Sequence, residues 1–433
     1  VTAPLPTQYR YENGLLLAAA RADAPTEAQR EGLPALNWEY LLTAADRQGV
    51  TALLAQWFQT HAYALVLSTD EQQATQTRYW KNHFRNVVLL RELARVRAAA
   101  GAAGIALLPL KGAALAPTYY PSPSLRPMSD LDLLARVGDF GRVPAVLTAL
   151  GYVQTPSTPA FVAERLRQPW QRELQFTDTR GSLAVLVEVR AEPLDPAPTP
   201  IAELDAPLAA RLAAYAARLW ERATPPLQGG DDAPRIAPED LLLHVASHMV
   251  TRHADFRLIW LLDLAHLLRR TPAFDWELLA RETRNLGLAV PVATALEAAT
   301  RWLDAPAAPA GLWRGSRHER RVFAPVARFA DTTERRVLTR RIEAIAQADL
   351  TAPQPAPFWV AAAALTRMRG LAPRLRVLRW LLFPGGEYLA EWHGGSGELR
   401  GGSYARAAFA RLGASAATGF RVASRRVQGI VRR

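Results

Sequence analysis

The stretch from Leu107 to Leu134, LLPLKGAALAPTYYPSPSLRPMSDLDLL, constrains this chain more than any other. It reads as an apolar strand, a turn Lys111-Gly112-Ala113 opening a short helix, a Pro/Ser loop, then Arg126 and a second strand carrying Asp130 and Asp132. Side chains at i and i+2 of a strand leave the same face of the sheet. Two carboxylates held that close repel each other unless a cation sits between them, and a hard divalent ion that prefers oxygen is the natural partner. The turn upstream offers the free N–H groups of a helix start together with a lysine, donors suited to phosphate. A metal site beside a phosphate site points to nucleotide chemistry.

These residues resemble the nucleotidyltransferase superfamily related to DNA polymerase beta, in which an apolar residue, Gly, then Gly or Ser precedes a strand with Asp-x-Asp. More specifically, the chain resembles the bacterial family known as uncharacterised nucleotidyltransferases. The resemblance lies in Leu110-Lys111-Gly112, in the phrase Leu125-Arg126-Pro127-Met128-Ser129-Asp130-Leu131-Asp132-Leu133-Leu134, and in the helical segment Leu258-Ile259-Trp260-Leu261-Leu262-Asp263-Leu264. It covers residues 80 to 300. It implies a nucleotidyl transfer that uses a nucleoside triphosphate and Mg²⁺ or Mn²⁺, with a metabolite, a peptide or protein side chain, or an RNA end as acceptor. Two other readings stand beside it: a nucleotide-binding regulator or scaffold without turnover, and an RNA-directed, toxin-like transferase.

A chain of 433 residues is long enough for two or three packed units. It has no cysteine, which excludes disulfides, thiolate metal sites and a cysteine nucleophile. The start Val1-Thr2-Ala3-Pro4 lacks signal-peptide character, and apolar runs such as Phe358 to Leu365 are too short to span a bilayer, so a cytoplasmic protein with no membrane contact is expected. The net charge of +12 comes almost wholly from arginine and gathers in Arg314 to Arg341 and Arg367 to Arg433. Those segments read as solvated helix faces rather than nucleic-acid sites. The only lysines are Lys81 and Lys111. In so arginine-rich a chain, the lysine at the turn suggests that a compact ammonium is favoured there.

The expected class is α+β: a small mixed-sheet core flanked by mainly helical regions. The boundaries read as an N-terminal helical region 1–100, a catalytic unit 101–234, a helical domain 235–304 and an arginine-rich C-terminal region 305–433. Three- and four-residue spacing predicts helices over Gly14 to Ala22, Trp38 to Gln59 and Arg78 to Ala99. In the last, Trp80, Phe84, Val87, Val88, Leu90, Leu93 and Val96 form one apolar stripe. Strands are expected over Ile105 to Leu110 and Met128 to Leu134, and a hairpin over Glu173 to Thr177 and Leu183 to Val189. Beyond Ala237 helices return, over Leu241 to Thr251, Phe256 to Arg270, Trp276 to Leu286 and Val290 to Leu303.

Asp130 and Asp132 are the expected metal ligands. The resemblance assigns a third acid, which completes the metal site and is placed to activate the acceptor hydroxyl, at Glu188 within the apolar strand Val185 to Val189. There the family usually has aspartate followed two residues later by histidine, whereas this chain has Glu188 and Arg190. A Glu188–Arg190 pair on the strand is the alternative, and Glu192 is a weaker substitute. The expected phosphate cradle is Lys111, Gly112 and Ala113, with Ser129 and Arg126 beside it; Arg126 either meets phosphate or pairs with one of the aspartates. His244 and His248, at i and i+4, read as interior or cleft-lining rather than as a zinc site, and Trp260, Asp263 and Trp276 as core contacts.

Overall fold

Alternating apolar residues after Ile105 build a five-stranded sheet. The computed structural model describes residues 10–31, 36–61, 67–155, 173–181, 183–194, 206–224, 234–253 and 257–312, with short pieces between 370 and 410. Strands β1 (Leu107–Pro109), β2 (Leu131–Ala135), β3 (Val153–Thr155), β4 (Glu173–Asp178) and β5 (Val185–Arg190) lie in the order β1-β2-β5-β4-β3. The β2–β5 pair is parallel and the other neighbours are antiparallel. Pro109 sits on the edge strand, where its missing N–H breaks no ladder.

Helices α1 (Arg10–Arg21), α2 (Glu27–Glu31), α3 (Trp38–Gln48), α4 (Thr51–Thr60) and α5 (Thr69–Ala102) precede the sheet. Two more are woven into it, α6 (Lys111–Tyr119) and α7 (Val143–Ala149). After it come α8 (Ala206–Arg222), α9 (Pro238–Ser247), a π-helical turn His248–His253, α10 (Leu258–Arg269), α11 (Trp276–Leu286) and α12 (Ala289–Leu303). The α+β class holds: a mixed sheet between helical regions. No helix among the described residues is long and apolar enough to cross a membrane.

Period-two patterning divides the sheet faces. Leu131, Leu133, Val185, Val187, Val189, Leu174 and Phe176 enter one core with Leu89, Leu93 and Val96 of α5 and Leu147 of α7. The opposite face carries Asp132, Glu188 and Arg190. A larger core joins helices from both ends of the described chain, with Leu15, Leu41, Leu54, Tyr215, Leu243, Leu262 and Leu296 among its members. The helices before and after the sheet therefore share one apolar interior.

Several local expectations are corrected. The helix expected over Trp38 to Gln59 is two helices, because Gly49 between them adopts φ +71°. A Cβ there would also lie 2.8 Å from Ile259 Cγ2, so turn and packing both demand glycine. The second strand starts at Leu131, not Met128. The residues before it are held by the side chain of Asn86 on α5, which donates to the carbonyls of Pro123 and Arg126 and accepts from the Met128 N–H.

The α5 stripe is split. Leu89, Leu93 and Val96 are buried under the sheet, whereas Trp80, Phe84 and Val87 are exposed. At 34 residues α5 is about 50 Å long and overreaches the sheet. Its first half turns inward a polar face that includes Thr75 and Asn86. Neither α8 nor β3 was foreseen. Of the C-terminal region, nearly all of 313–399 and all of 411–433 lie outside the described residues, and with them the run Arg314 to Arg341 and most of the run Arg367 to Arg433.

A buried fork ties the sheet unit to the helices. Arg126 Nε and Nη2 each donate to Asp263 on α10 at 2.8 Å, and the Tyr120 hydroxyl donates to the same carboxylate at 2.7 Å. Asp263 is 1% exposed. Removing one partner strands the other charge in a low dielectric, a loss of about 3–5 kcal/mol, whereas replacing both with apolar groups of similar size costs far less. Asp263→Leu alone should therefore lower the midpoint of urea unfolding strongly, and Arg126→Met combined with Asp263→Leu should recover much of the loss. Additive losses in this double-mutant cycle would show that the pair is not coupled.

Candidate active site

The turn from β1 into α6 sets the site's first wall. The Leu110 N–H donates to the Asp132 carbonyl at 2.9 Å, which fastens the turn to β2. Helical bonding in α6 begins only at the Ala114 N–H, which reaches the Leu110 carbonyl. The amides of Lys111, Gly112 and Ala113 thus lie in the first turn, where N–H groups have no intrahelical acceptor and the helix dipole is positive. Lys111 is one of three non-glycine residues with positive φ among those described, at +45°. Gly112 has a packing reason for being glycine: a Cβ there would stand 2.9 Å from Met128 Cγ. Ala113 is buried in the core beneath the sheet.

The second wall is the acidic face of the sheet. Parallel pairing of β2 with β5 puts Asp132 in register with Glu188, side by side on one face. Asp130 lies in the bend just before β2, at the mouth of the strand. The Ser129 hydroxyl donates to Asp130 at 3.0 Å. Asp132, 4% exposed, accepts from Lys111 Nζ at 2.7 Å. Gln175, in register with Glu188 from the other side, donates to it at 2.8 Å. Arg190 extends across to Glu173 on β4. The Arg126 guanidinium, although it lines the same cleft, is spent on Asp263 rather than on Asp130 or Asp132.

The electrostatics report crowding of negative charge. Burial, with the charge of Asp132 added, raises the Asp130 carboxyl above its ordinary range. Burial, then Glu173 and Asp132, push Glu188 up to about 7. His244 is buried behind the site, with its Nδ1 on the Pro193 carbonyl and its ring plane stacked near His248. Burial, then Arg190 and Lys111, lower it to about 4, so it is neutral at pH 7.

These groups open into a cleft of about 800 Å³. Its floor is Lys111, Gly112, Asp130 and Asp132; one side is Met249, Arg257 and Trp260, and the other is Arg78, Lys81 and Arg85 of α5. Arg257 lies over the Trp260 ring at 4.9 Å. Sequence reasoning had not placed the α5 cations or Arg257 here. One signal was available, since both lysines of the chain line this single cleft.

The carboxylates suit a hard cation by donor type and by their excess negative charge. As arranged, no group of three His, Asp or Glu side chains among the described residues gathers about one metal position. Magnesium does not need such a cage. It is commonly held by one or two carboxylates with waters and substrate phosphates completing the octahedron.

The family model described as "Uncharacterised nucleotidyltransferase" matches residues 34–304, more than half of the chain, and that span includes every residue of the cleft. No curated protein and no solved structure matches the sequence.

Glu188 gives a test of the acidic face that needs no substrate. Its carboxyl titrates near 7 in the folded protein against 4.5 in an open chain, so the fold binds this proton more tightly than the unfolded state does. The protonated form's contribution to stability is whole below about pH 4.5 and is lost as pH rises through about 7. Glu188→Gln should raise the melting temperature of the chelator-treated protein above that of the parent at about pH 8 and match it near pH 4.5. Parallel melting profiles across that range would mean that Glu188 is not held among these acids.

Proposed function

Since this chain belongs to the uncharacterised nucleotidyltransferase family, we propose that it transfers a nucleotidyl group from a nucleoside triphosphate to a hydroxyl acceptor with the help of Mg²⁺ or Mn²⁺. The observation that carries this reading is the register of β2 with β5. It sets Asp132 beside Glu188, with Asp130 at the strand mouth and the Lys111 turn alongside.

In this reading the triphosphate lies against the amides of Lys111, Gly112 and Ala113. Asp130 and Asp132 hold the divalent ion, which when bound supplies positive charge to the phosphates. Glu188 faces the acceptor. The acceptor hydroxyl oxygen bonds to the α-phosphorus, the bond from that phosphorus to the α–β bridging oxygen breaks, pyrophosphate leaves, and the hydroxyl proton passes to Glu188. A carboxyl that titrates near neutrality is suited to accepting that proton. Lys111, paired with Asp132, stands beside the turn amides, where its ammonium would add positive charge toward the phosphates. Arg126 holds the loop and takes no phosphate.

A reading without turnover draws on Ala113 and Arg190, where the superfamily's usual Ser or Gly and the close family's histidine are missing. Two measurements separate the readings. Asp130→Asn with Asp132→Asn should abolish Mg²⁺-dependent triphosphate binding in calorimetry while leaving the melting curve cooperative; unchanged binding would remove the metal site. Glu188→Gln should slow transfer of label from an α-phosphate-labelled triphosphate to acceptors in a native cell extract by about 10²–10⁴-fold, with little change in triphosphate affinity. Binding by the parent with no labelled product would favour the reading without turnover.

A further inference from the structure

The exposed half of α5 is unusual in two ways that meet at the cleft. Trp80 and Phe84 are 58% and 55% exposed. The Trp80 ring is braced edge-on by Tyr79 and by His83, with ring centroids 5.4 Å away in each case. His83 is itself fixed, with Nδ1 2.6 Å from the Ser124 hydroxyl. These contacts restrict the ring while more than half of the residue stays open to solvent. Trp80, Phe84 and Lys81 line a shallow depression of about 500 Å³. Thr77 and Lys81 belong both to it and to the cleft, so the two are continuous.

The second peculiarity is charge. From Gln72 to Arg91 the helix has no aspartate or glutamate, while Arg78, Lys81, Arg85 and Arg91 are all cationic. Solvated helix faces usually intersperse the two signs at three- and four-residue spacing, and this one does not. Arg78 pairs with Asp46, but Lys81 and Arg85 are exposed and make no ion pair recorded among the described residues. At i and i+4 they form one row along the cleft's edge. A row of cations beside open aromatic faces is the recognition chemistry of single-stranded nucleic acid, in which bases stack and phosphates are neutralised.

We propose that the acceptor for this site is a single-stranded nucleic acid, its bases stacked on Trp80 and Phe84 and its phosphates led into the cleft by Lys81 and Arg85. The inference deepens the nucleotidyl-transfer reading and rests on it for the reaction, though not for binding. The strand's terminal hydroxyl is then the nucleophile of the step already written, and the product is the strand extended by one nucleotide plus pyrophosphate. A small anionic metabolite needs the cations but has no use for two aromatic faces outside the cleft. A duplex keeps its bases stacked internally and cannot use them either.

Fluorescence anisotropy of the full chain with labelled ribo- and deoxyribo-oligonucleotides of about ten nucleotides tests this, with Mg–triphosphate affinity followed separately by calorimetry. The parent should bind single strands better than the matching duplex. Trp80→Ala and Phe84→Ala should each weaken single-strand binding about 5- to 100-fold, the loss expected of a stacked base. Lys81→Ser with Arg85→Ser should flatten the dependence of log affinity on log salt by about 1.4, roughly 0.7 per charge on a single strand. All four residues are exposed, so folding should survive, and melting curves check it. Oligonucleotide affinity that is absent, equal for duplex, or indifferent to both aromatics overturns the proposal, as does a chain that instead self-associates through Trp80 and Phe84 in light scattering. Mg–triphosphate binding without oligonucleotide binding would remove the acceptor and leave the donor reading intact. Oligonucleotide binding without Mg–triphosphate binding would do the reverse.

Discussion

The buried fork between Arg126 and Asp263 is the interaction on which the rest of the structure depends. It spans 137 positions of sequence and joins the loop that delivers Asp130 and Asp132 to a helix of the large core. Asn82, His83 and Asn86 fasten the Pro/Ser loop to α5, whereas the fork is what fastens it to α10. The fork also explains why two separated phrases of the sequence, one around Arg126 and one around Asp263, occur in the same chain. Each is the other's counter-charge. Such a pair adds little net stability over an apolar substitute, and its value lies in admitting one arrangement of the two units.

Much of the sheet was legible because period-two patterning is a local property. Leu131, Leu133, Val187 and Val189 announce their shared face without knowledge of their neighbours, and Asp-x-Asp announces the other. What the pattern cannot carry is the partner across a gap. Nothing local distinguishes Arg126 facing phosphate from Arg126 facing an acid far along the chain. The register of Asp132 with Glu188 likewise follows from a parallel pairing between strands more than fifty positions apart.

The α5 helix fails in a different manner. Its apolar spacing is genuine along its whole length, yet only the half that lies under the sheet finds something to cover it. Periodicity reports that residues share a face and says nothing of whether that face has a neighbour. The same holds for Gly49, whose left-handed turn also lies where a Cβ would meet Ile259 of another helix. The helix α8 was overlooked although its sequence carries the signal. Leu208, Leu212, Tyr215 and Leu219 recur at three- and four-residue spacing and are buried in the large core, and Arg222 with Asp240 and Arg218 with Glu282 add ion pairs.

Lys111 has a left-handed backbone, a conformation that costs a residue with a Cβ about 1–2 kcal/mol and costs glycine almost nothing. A chain optimised for thermal endurance alone would carry glycine at this position. That it carries one of its two lysines instead marks the turn as a place where the side chain outweighs backbone comfort. Under the proposed nucleotidyl transfer, the turn is a point of stability–activity trade-off. A search for hardier variants of this protein would be drawn to position 111 early, and each gain it found there would cost the turn its ammonium.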